Sequence, residues 1–417
     1  MPRAWLIGGL IACALFAGGV SLFSSDPLHR IWGLSGACAY AVAALAVLAW
    51  KSRATFGVDV ALTVVICGAI LIPLLWMVVT GHGEPEVGVV ANSAQTLIKQ
   101  GTPYKSAQAL AATTNPNMYN PYLPLMAAFG VPQALFGHGL LTDPRMWFGV
   151  VFLVVFAFAL RIAGARDSVR WALLMTASPV IAFELCVGGT DVPMVGFLCL
   201  GFALLYHQGR STSVGFAVLA GLALGIASAM KATAWPALVV AVVLIGVRDG
   251  RKAAWAFAVT AVGVVAVCVG PFFALHPKSL VDNTIKFPLG LASVRSQASS
   301  PLLGHIIATT WHTAGNTVVV ALLVLAAVAV GLSLVFRPPR SVTRAVVLLA
   351  GAMTLMFLLA PSTRFGYFIY PATLAIWLFA VHGGQMRGDG LATPDPDEPA
   401  ASLRTSRPTI PAERPAA

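Results

Sequence analysis

The chain is built from apolar stretches of about twenty residues that recur along almost its whole length, and nothing else in the sequence restricts the fold as strongly. A bilayer core is about 30 Å thick and holds no water for backbone amides, so crossing it takes about 20 consecutive apolar residues coiled into a helix. Such stretches lie at about 4–23, 31–50, 57–79, 145–162, 170–187, 191–207, 213–230, 233–247, 253–275, 315–336, 343–360 and 365–382. They predict an all-α, polytopic transmembrane bundle of about twelve spans. Composition agrees: 58% of residues are hydrophobic and 10% charged, where a soluble domain carries about a quarter charged residues.

The net charge of +11 belongs to this pattern rather than to a nucleic-acid partner. Basic residues fall at alternate ends of the apolar runs, where they act as orientation signals. Lys51 and Arg53, then Arg161, Arg166 and Arg170, then Arg210, then Arg248, Arg251 and Lys252, then Arg337, Arg340 and Arg344 all fall on one side if both termini are cytoplasmic. That side is the expected interior of a multi-pass plasma-membrane protein. Arg3 before an apolar run resembles a signal peptide, but no clean cleavage site precedes a soluble domain, so the first run is expected to stay as a span. The six cysteines, Cys13, Cys38, Cys67, Cys186, Cys199 and Cys268, all lie inside apolar runs without metal-ligand spacing and are expected to be packing residues.

Residues 122–137 test the count. The segment is apolar, but it is short, contains Pro124 and Pro132, and as a span would invert every basic loop after it. It is therefore expected to lie along the outer interface. Two outer loops then stand out by length, about 80–144 and 276–314. Val90, Ala94, Leu97 and Ile98 recur at helical spacing in the first, which predicts an interfacial helix. The residues from about 385 are rich in Pro, Ala and charge and are expected to form a disordered cytoplasmic tail.

Glu84 and Glu86 follow the third run directly. A carboxylate at an aqueous edge can serve as a general base, especially where burial raises its proton affinity; two glutamates can equally just end a helix in water. The order of features in this loop adds to the reading. An acidic residue after a span, an amphipathic helix, Gly-x-Pro-Tyr at 101–104, and Tyr-Asn-Pro-x-x-Pro at 119–124 resembles the first extracytoplasmic loop of GT-C glycosyltransferases. The closest resemblance is to glycosyltransferase family 87, the polyprenyl-phosphate-mannose-dependent transferases. Arg145, GGTDVP at 188–193, MKATAWP at 230–236 and PSTRFGYFIYP at 361–371 resemble that family's later outer-edge elements. The pattern places the acid about fifteen positions before the glycine, which selects Glu86, with Glu84 in reserve. This chain departs from many relatives by carrying Glu for Asp and Tyr-Asn-Pro for Tyr-Pro-Pro. The resemblance runs from about 80 to 382 and implies a catalytic core over 57–384, two extra N-terminal spans in 1–56, and a tail at 385–417.

Topology gathers Asp191, Lys231, Lys286, Arg295, His305 and Arg364 on the side of Glu86. Lys231 stands between two spans where positive charge is disfavoured, and Arg364 sits in a short turn; both suit anion binding. Lys286 and Arg295 read equally well as solvated loop residues. Asp191 could orient a sugar hydroxyl or pair with Lys231, and it also suits a helix start before Pro193. Glu184 lies one turn from the end of its span and can line a cavity. Tyr104 and Tyr119 can shape a sugar site. His276, His305 and His312 share no ligand spacing, so no zinc site is expected, although His305 could donate to phosphate or sugar. No nucleotide-binding loop or Ser-His-Asp signature occurs.

The resemblance implies inverting transfer of a sugar, mannose above all, from a polyprenyl-phosphate carrier in the membrane to a glycolipid or glycan of the cell envelope, with no cofactor or metal. Glu86 would deprotonate the acceptor, and Lys231, Arg364 and Arg295 would hold the departing phosphate. The competing class is a lipid or polysaccharide transporter, which twelve spans also fit, although no internal repeat is evident.

Overall fold

The computed structural model describes residues 3–50, 54–165, 167–206, 213–311 and 314–386. Lys51, Arg53, Arg166, Arg210, His312 and the tail from 387 lie outside the described residues. Those described are almost wholly helical, with one isolated parallel bridge between Ser299 and Thr363. Eight helices are long and apolar enough to cross a bilayer: α1 (Arg3–Phe23), α2 (Pro27–Ala49), α3 (Phe56–Val79), α6 (Pro144–Ile162), α12 (Arg251–Leu275), α14 (Gly315–Phe336), α15 (Val342–Leu359) and α16 (Phe365–His382). A further pair, α7 (Ser168–Thr176) and α8 (Pro179–Val187), is bent by 60° at its break. Pro179 explains the break, because it supplies no amide to the preceding turn. Three shorter apolar helices, α9 (Val192–Leu205), α10 (Val214–Met230) and α11 (Ala232–Arg248), occupy the remaining expected spans. The chain is a multi-pass membrane protein, and the figure of twelve crossings depends on the bent pair and on these three helices.

Between α3 and α6 the first long loop carries, besides a five-residue helical turn at Ala107–Ala111, two longer helices, α4 (Pro85–Gln100) and α5 (Pro124–Phe136). The expected interfacial helix is α4: Val90 and Ala94 are buried, as are Val87, Ser93 and Thr96, whereas Ile98 is exposed and falls outside the stripe. Segment 122–137 becomes α5, which starts as a 3₁₀ turn over Pro124–Gly130. The two helices cross at Gly130, where a Cβ would sit 2.5 Å from the Val90 carbonyl oxygen. Only a glycine lets the backbones approach so closely.

The second long loop carries α13 (Leu303–Thr310). The loops are pinned together by Asn120, whose amide N–H donates to Asn283 Oδ1 at 2.7 Å and whose Nδ2 donates to the Pro103 carbonyl at 3.2 Å. Both loops lie at one rim of the bundle. At the other rim Arg170 pairs with Asp59 at 3.0 Å.

The N-terminal hairpin α1–α2 is part of the same body. Pro73 cannot donate to Ala69 four residues earlier, and α3 passes through a π-turn over Ile66–Leu71 just before it. The freed Ala69 carbonyl accepts Trp32 Nε1 of α2 at 2.9 Å, and the Gly68 carbonyl accepts Ser35 Oγ at 2.5 Å. Gly68 also lets α2 come close, since a Cβ there would stand 2.6 Å from that of Ala39. These contacts fix the start of α2 against the loop rim.

Candidate functional site

Glu84 stands just before Pro85, the first residue of α4, and Glu86 lies in the first turn, where the helix dipole favours negative charge. The Glu84 amide donates to the Val187 carbonyl at 2.8 Å and ties this corner to the end of α8. Arg145 braces the same corner from beneath. Its guanidinium is buried, pairs with Asp143 at 2.9 Å, and donates to the His82 and Cys186 carbonyls at 2.9 and 3.1 Å. With its donors taken up by backbone and Asp143, Arg145 is a clamp for the glutamate corner.

Arg364 arrives from the turn between α15 and α16. The second long loop holds that turn: the Thr363 amide donates to the Ala298 carbonyl at 3.0 Å, the Ser300 amide donates to Thr363 at 2.9 Å, and His305 Nδ1 lies 2.9 Å from the Pro361 carbonyl. The guanidinium forks between the two acids, Nη1 to Glu84 Oε2 and Nη2 to Glu86 Oε1 at 2.6 Å. Glu84 Oε1 lies 2.8 Å from His29 Nε2 of α2. Both oxygens of Glu84 are therefore engaged, whereas Glu86 Oε2 is buried without a partner.

This asymmetry separates the two acids electrostatically. Burial alone would raise Glu84, but the His29 hydrogen bond and Arg364 outweigh it and hold its carboxyl below the ordinary range. Burial pushes Glu86 up; Arg364 opposes this, the Glu84 charge adds to it, and the balance lies above the ordinary carboxylate value. Arg364 itself is held above its usual value: burial works against the charge, but the two glutamates more than compensate.

A second cluster adjoins the first. Lys231 Nζ donates to Asp191 Oδ1 at 2.7 Å, Tyr370 Oη donates to the same oxygen at 2.7 Å, and Thr233 Oγ1 lies 2.9 Å from Tyr370 Oη. Asp191 occupies the helix-start position of α9 yet makes no side-chain cap there; its carboxylate is given to Lys231 instead. The ammonium also lies 4.7 Å from the Tyr367 ring centroid and 5.6 Å from that of Tyr122, an arrangement that favours a cation.

Glu86, Lys231 and Arg364 converge on one cavity of about 600 Å³. At the loop rim it is walled by Tyr119, Tyr122, Phe287 and Tyr367. From there it runs between α11, α14 and α15 past Val239, Ala327, Val330, Leu334 and Met356. Leu323 to Leu334 alone, both lining it, covers about 16 Å of α14 at 1.5 Å per residue. Behind the charged wall a chamber of about 30 Å³ is bounded by Glu84, Glu86, Glu184, Asp191 and Gly366, room for about one water. Gly366 is required there, because a Cβ would overlap the Glu184 carboxyl.

The other expected site residues lie elsewhere. Tyr104 is buried and donates to the Tyr122 carbonyl at 3.0 Å, supporting the wall without lining it. Tyr119 lines the cavity edge and stacks on Phe287 with ring centroids 4.5 Å apart. Lys286 pairs with Asp282 one turn back at 2.7 Å. Arg295 is exposed, and neither it nor Lys286 lines the cavity. His305 acts on the Arg364 turn from outside. Among the described residues no group of three His, Cys, Asp or Glu side chains could hold a metal ion. Sequence reasoning passed over His29, Tyr122, Tyr367 and Tyr370. The three tyrosines stood inside motifs already singled out, whereas His29 lies in the hairpin that the resemblance did not cover.

The cavity thus joins an unpartnered carboxylate oxygen and two cations at its polar end to a long apolar limb. The chain belongs to glycosyltransferase family 87, whose family model matches residues 120–361, more than half of its 417 residues. The match takes in Asp191 and Lys231 and leaves Glu84, Glu86 and Arg364 outside, so the reading of those three rests on geometry. Among solved structures the chain is similar to ArnT from Cupriavidus metallidurans bound to undecaprenyl phosphate, with 19% identity, a TM-score of 0.45, and coverage of 74% of this chain and 59% of that one. The apo state of the same protein aligns with 19% identity, a TM-score of 0.43, and coverage of 74% and 58%. This chain thus spans about three-fifths of the length of those structures. No curated protein sequence matches it.

Proposed function

We propose that the protein transfers a sugar, mannose in the first instance, from a polyprenyl-phosphate carrier to a hydroxyl of a cell-envelope glycolipid or glycan, on the extracytoplasmic face and with inversion. One observation carries this reading: Glu86 Oε2 has no protein partner and stands in the same cavity as two cations with donors to spare. Lys231 uses one of its three N–H groups on Asp191 and Arg364 two of its five on the glutamates. The remaining donors are left for phosphate oxygens, and the apolar limb between α11, α14 and α15 suits a polyprenyl chain. That the structure of ArnT holds undecaprenyl phosphate is in keeping with a carrier of this class.

Glu86 Oε2 takes the proton of the acceptor hydroxyl as its oxygen attacks the anomeric carbon from the face opposite the phosphate. The new C–O bond forms while the bond from carbon to the phosphate oxygen breaks, and its electron pair goes to the phosphate. The sugar passes through an oxocarbenium-like state. Charge growing on the phosphate is met by Lys231 and Arg364, whose effect strengthens as the filled cavity excludes water. The family resemblance favours mannose as the sugar.

The test is transfer by purified protein in proteoliposomes, offered a panel of polyprenyl-phosphate sugars and envelope glycolipids. Consumption of the mannosyl donor, with a product of inverted anomeric configuration, is expected. Intact lipid crossing the bilayer without loss of sugar would assign the protein to transport instead.

A further inference from the structure

Each transfer leaves the acceptor's proton on Glu86, and the next cycle cannot begin until it has gone. Its direct way out is obstructed in turnover: Glu86 Oε2 is buried, and although the side chain as a whole is 25% exposed, the cavity it lines then holds donor, acceptor or product. On the other side of Glu86 lies a second route. Glu84 and Glu86 share the Arg364 guanidinium and both border the chamber of about 30 Å³, where one water can join the two carboxyl groups. Glu84 Oε1 lies 2.8 Å from His29 Nε2, and the His29 side chain is 26% exposed at the loop rim. We propose that His29, supplied by the N-terminal hairpin, is the proton outlet of the site, carrying to water the proton that Glu86 takes from each acceptor.

The steps balance. Protonated Glu86 passes its proton to Glu84, which becomes neutral while Glu86 recovers its negative charge. Glu84 passes the proton to Nε2 of a ring that carries its own hydrogen on Nδ1; the imidazolium so formed gives the Nδ1 hydrogen to water, and exchange with water returns the ring to that tautomer before the next cycle. Glu84 is a conduit rather than a store, since the His29 bond and Arg364 offset its burial and favour its anion. The remaining neighbours leave the ring free for this task. Phe183 meets it edge-on with centroids 4.9 Å apart, and Ser24 Oγ lies 3.2 Å from Nδ1. The charged groups on the elements packed around it are Glu84, with Arg364 and Glu86 behind, and Glu184 on α8. On its own helix, Asp26 caps the first turn and Arg30 donates to the Ser21 carbonyl. His29 also gives the hairpin a task beyond packing, because it brings to the acids a histidine that the matched family region does not contain.

The outlet rests on the transferase reading, so wild type and Glu86→Gln are assayed beside the His29 variants. In His29→Gln the amide still donates to Glu84 but cannot carry a proton. Its kcat should fall about tenfold or more, with the donor KM within about twofold of wild type. The lost rate should return as a small buffer base is raised at constant pH and ionic strength, and imidazole should restore His29→Ala in the same way. A His29→Gln enzyme with wild-type kcat overturns the outlet, and so does one whose loss no buffer or imidazole relieves, since that is a positioning effect alone. Wild type silent toward every lipid-linked donor overturns both readings. Active wild type, inactive Glu86→Gln and full-rate His29→Gln overturn the outlet only.

Discussion

The two charged clusters at the loop rim use similar parts to opposite ends. Around Lys231 one ammonium meets one carboxylate, and Tyr370 and Thr233 close the arrangement. Around Arg364 one guanidinium serves two carboxylates, and one oxygen of the pair is left over. The first cluster is balanced; the second is unbalanced, and the proposed mechanism makes its spare oxygen the base. A buried carboxylate oxygen without a partner is costly, and this one stands beside an open cavity, where the proposed mechanism puts the acceptor hydroxyl.

The contrast is tested hardest at the glutamates. Glu86→Gln keeps the size and one acceptor oxygen for Arg364 but removes the base. Steady-state turnover should fall by about a thousandfold, with donor affinity within about threefold. Glu84→Gln should cost far less, about tenfold in kcat, because Glu86 remains. Equal losses in the two variants would erase the distinction drawn between them.

Next in size is the cation that joins the acids. Arg364→Lys retains charge without the fork, and kcat/KM should drop about a hundredfold. The pH profile sharpens the same point. Activity requires deprotonated Glu86, so kcat/KM should decline as pH falls through its raised pKa. Removing the Glu84 charge in Glu84→Gln leaves Arg364 more fully to Glu86, and the acid limb should then move to lower pH. A shift to higher pH would contradict the assignment of causes.

The balanced cluster should add to stability besides the role of Lys231 toward the donor. Lys231→Met or Asp191→Asn alone leaves a buried partner exposed to loss, at about 3 kcal/mol on the scale known for broken buried pairs. The double variant should recover part of the thermal stability of the wild type in detergent melts while staying poor in donor binding. Smallest is the apolar limb. Ala327→Trp should raise KM about fivefold for a long polyprenyl donor and leave a short-chain analogue nearly unaffected, since each buried methylene contributes about 0.8 kcal/mol.

Much of this was legible before any coordinates. Apolar runs marked the helices, and the prolines and shortness of 122–137 match its folding as a 3₁₀ turn and a short helix. Glu86 was singled out by the family pattern, Lys231 and Arg364 by their places between spans, and the three meet although Glu84 and Arg364 lie 280 residues apart. What the sequence hid were pairings. Asp191 carried rival readings, a helix cap before Pro193 and a partner for Lys231 among them, and only the fold chooses the pair. Arg145, His305 and Tyr104 stood in the right neighbourhood but act on backbone carbonyls, whose positions no residue pattern encodes. His29 is a lone histidine at the start of an apolar helix, and its partner 55 residues on is brought near by Pro73 and the π-turn through which α2 docks.

The central claim is that one cavity joins the base to a seat for lipid phosphate. Its most direct measurement is a cryo-EM structure of the full chain in nanodiscs with polyprenyl phosphate. The account predicts the phosphate between Lys231 and Arg364, facing Glu86, with the chain running between α11, α14 and α15. Phosphate bound instead at Arg295 or Lys286, with the cavity empty, would contradict it.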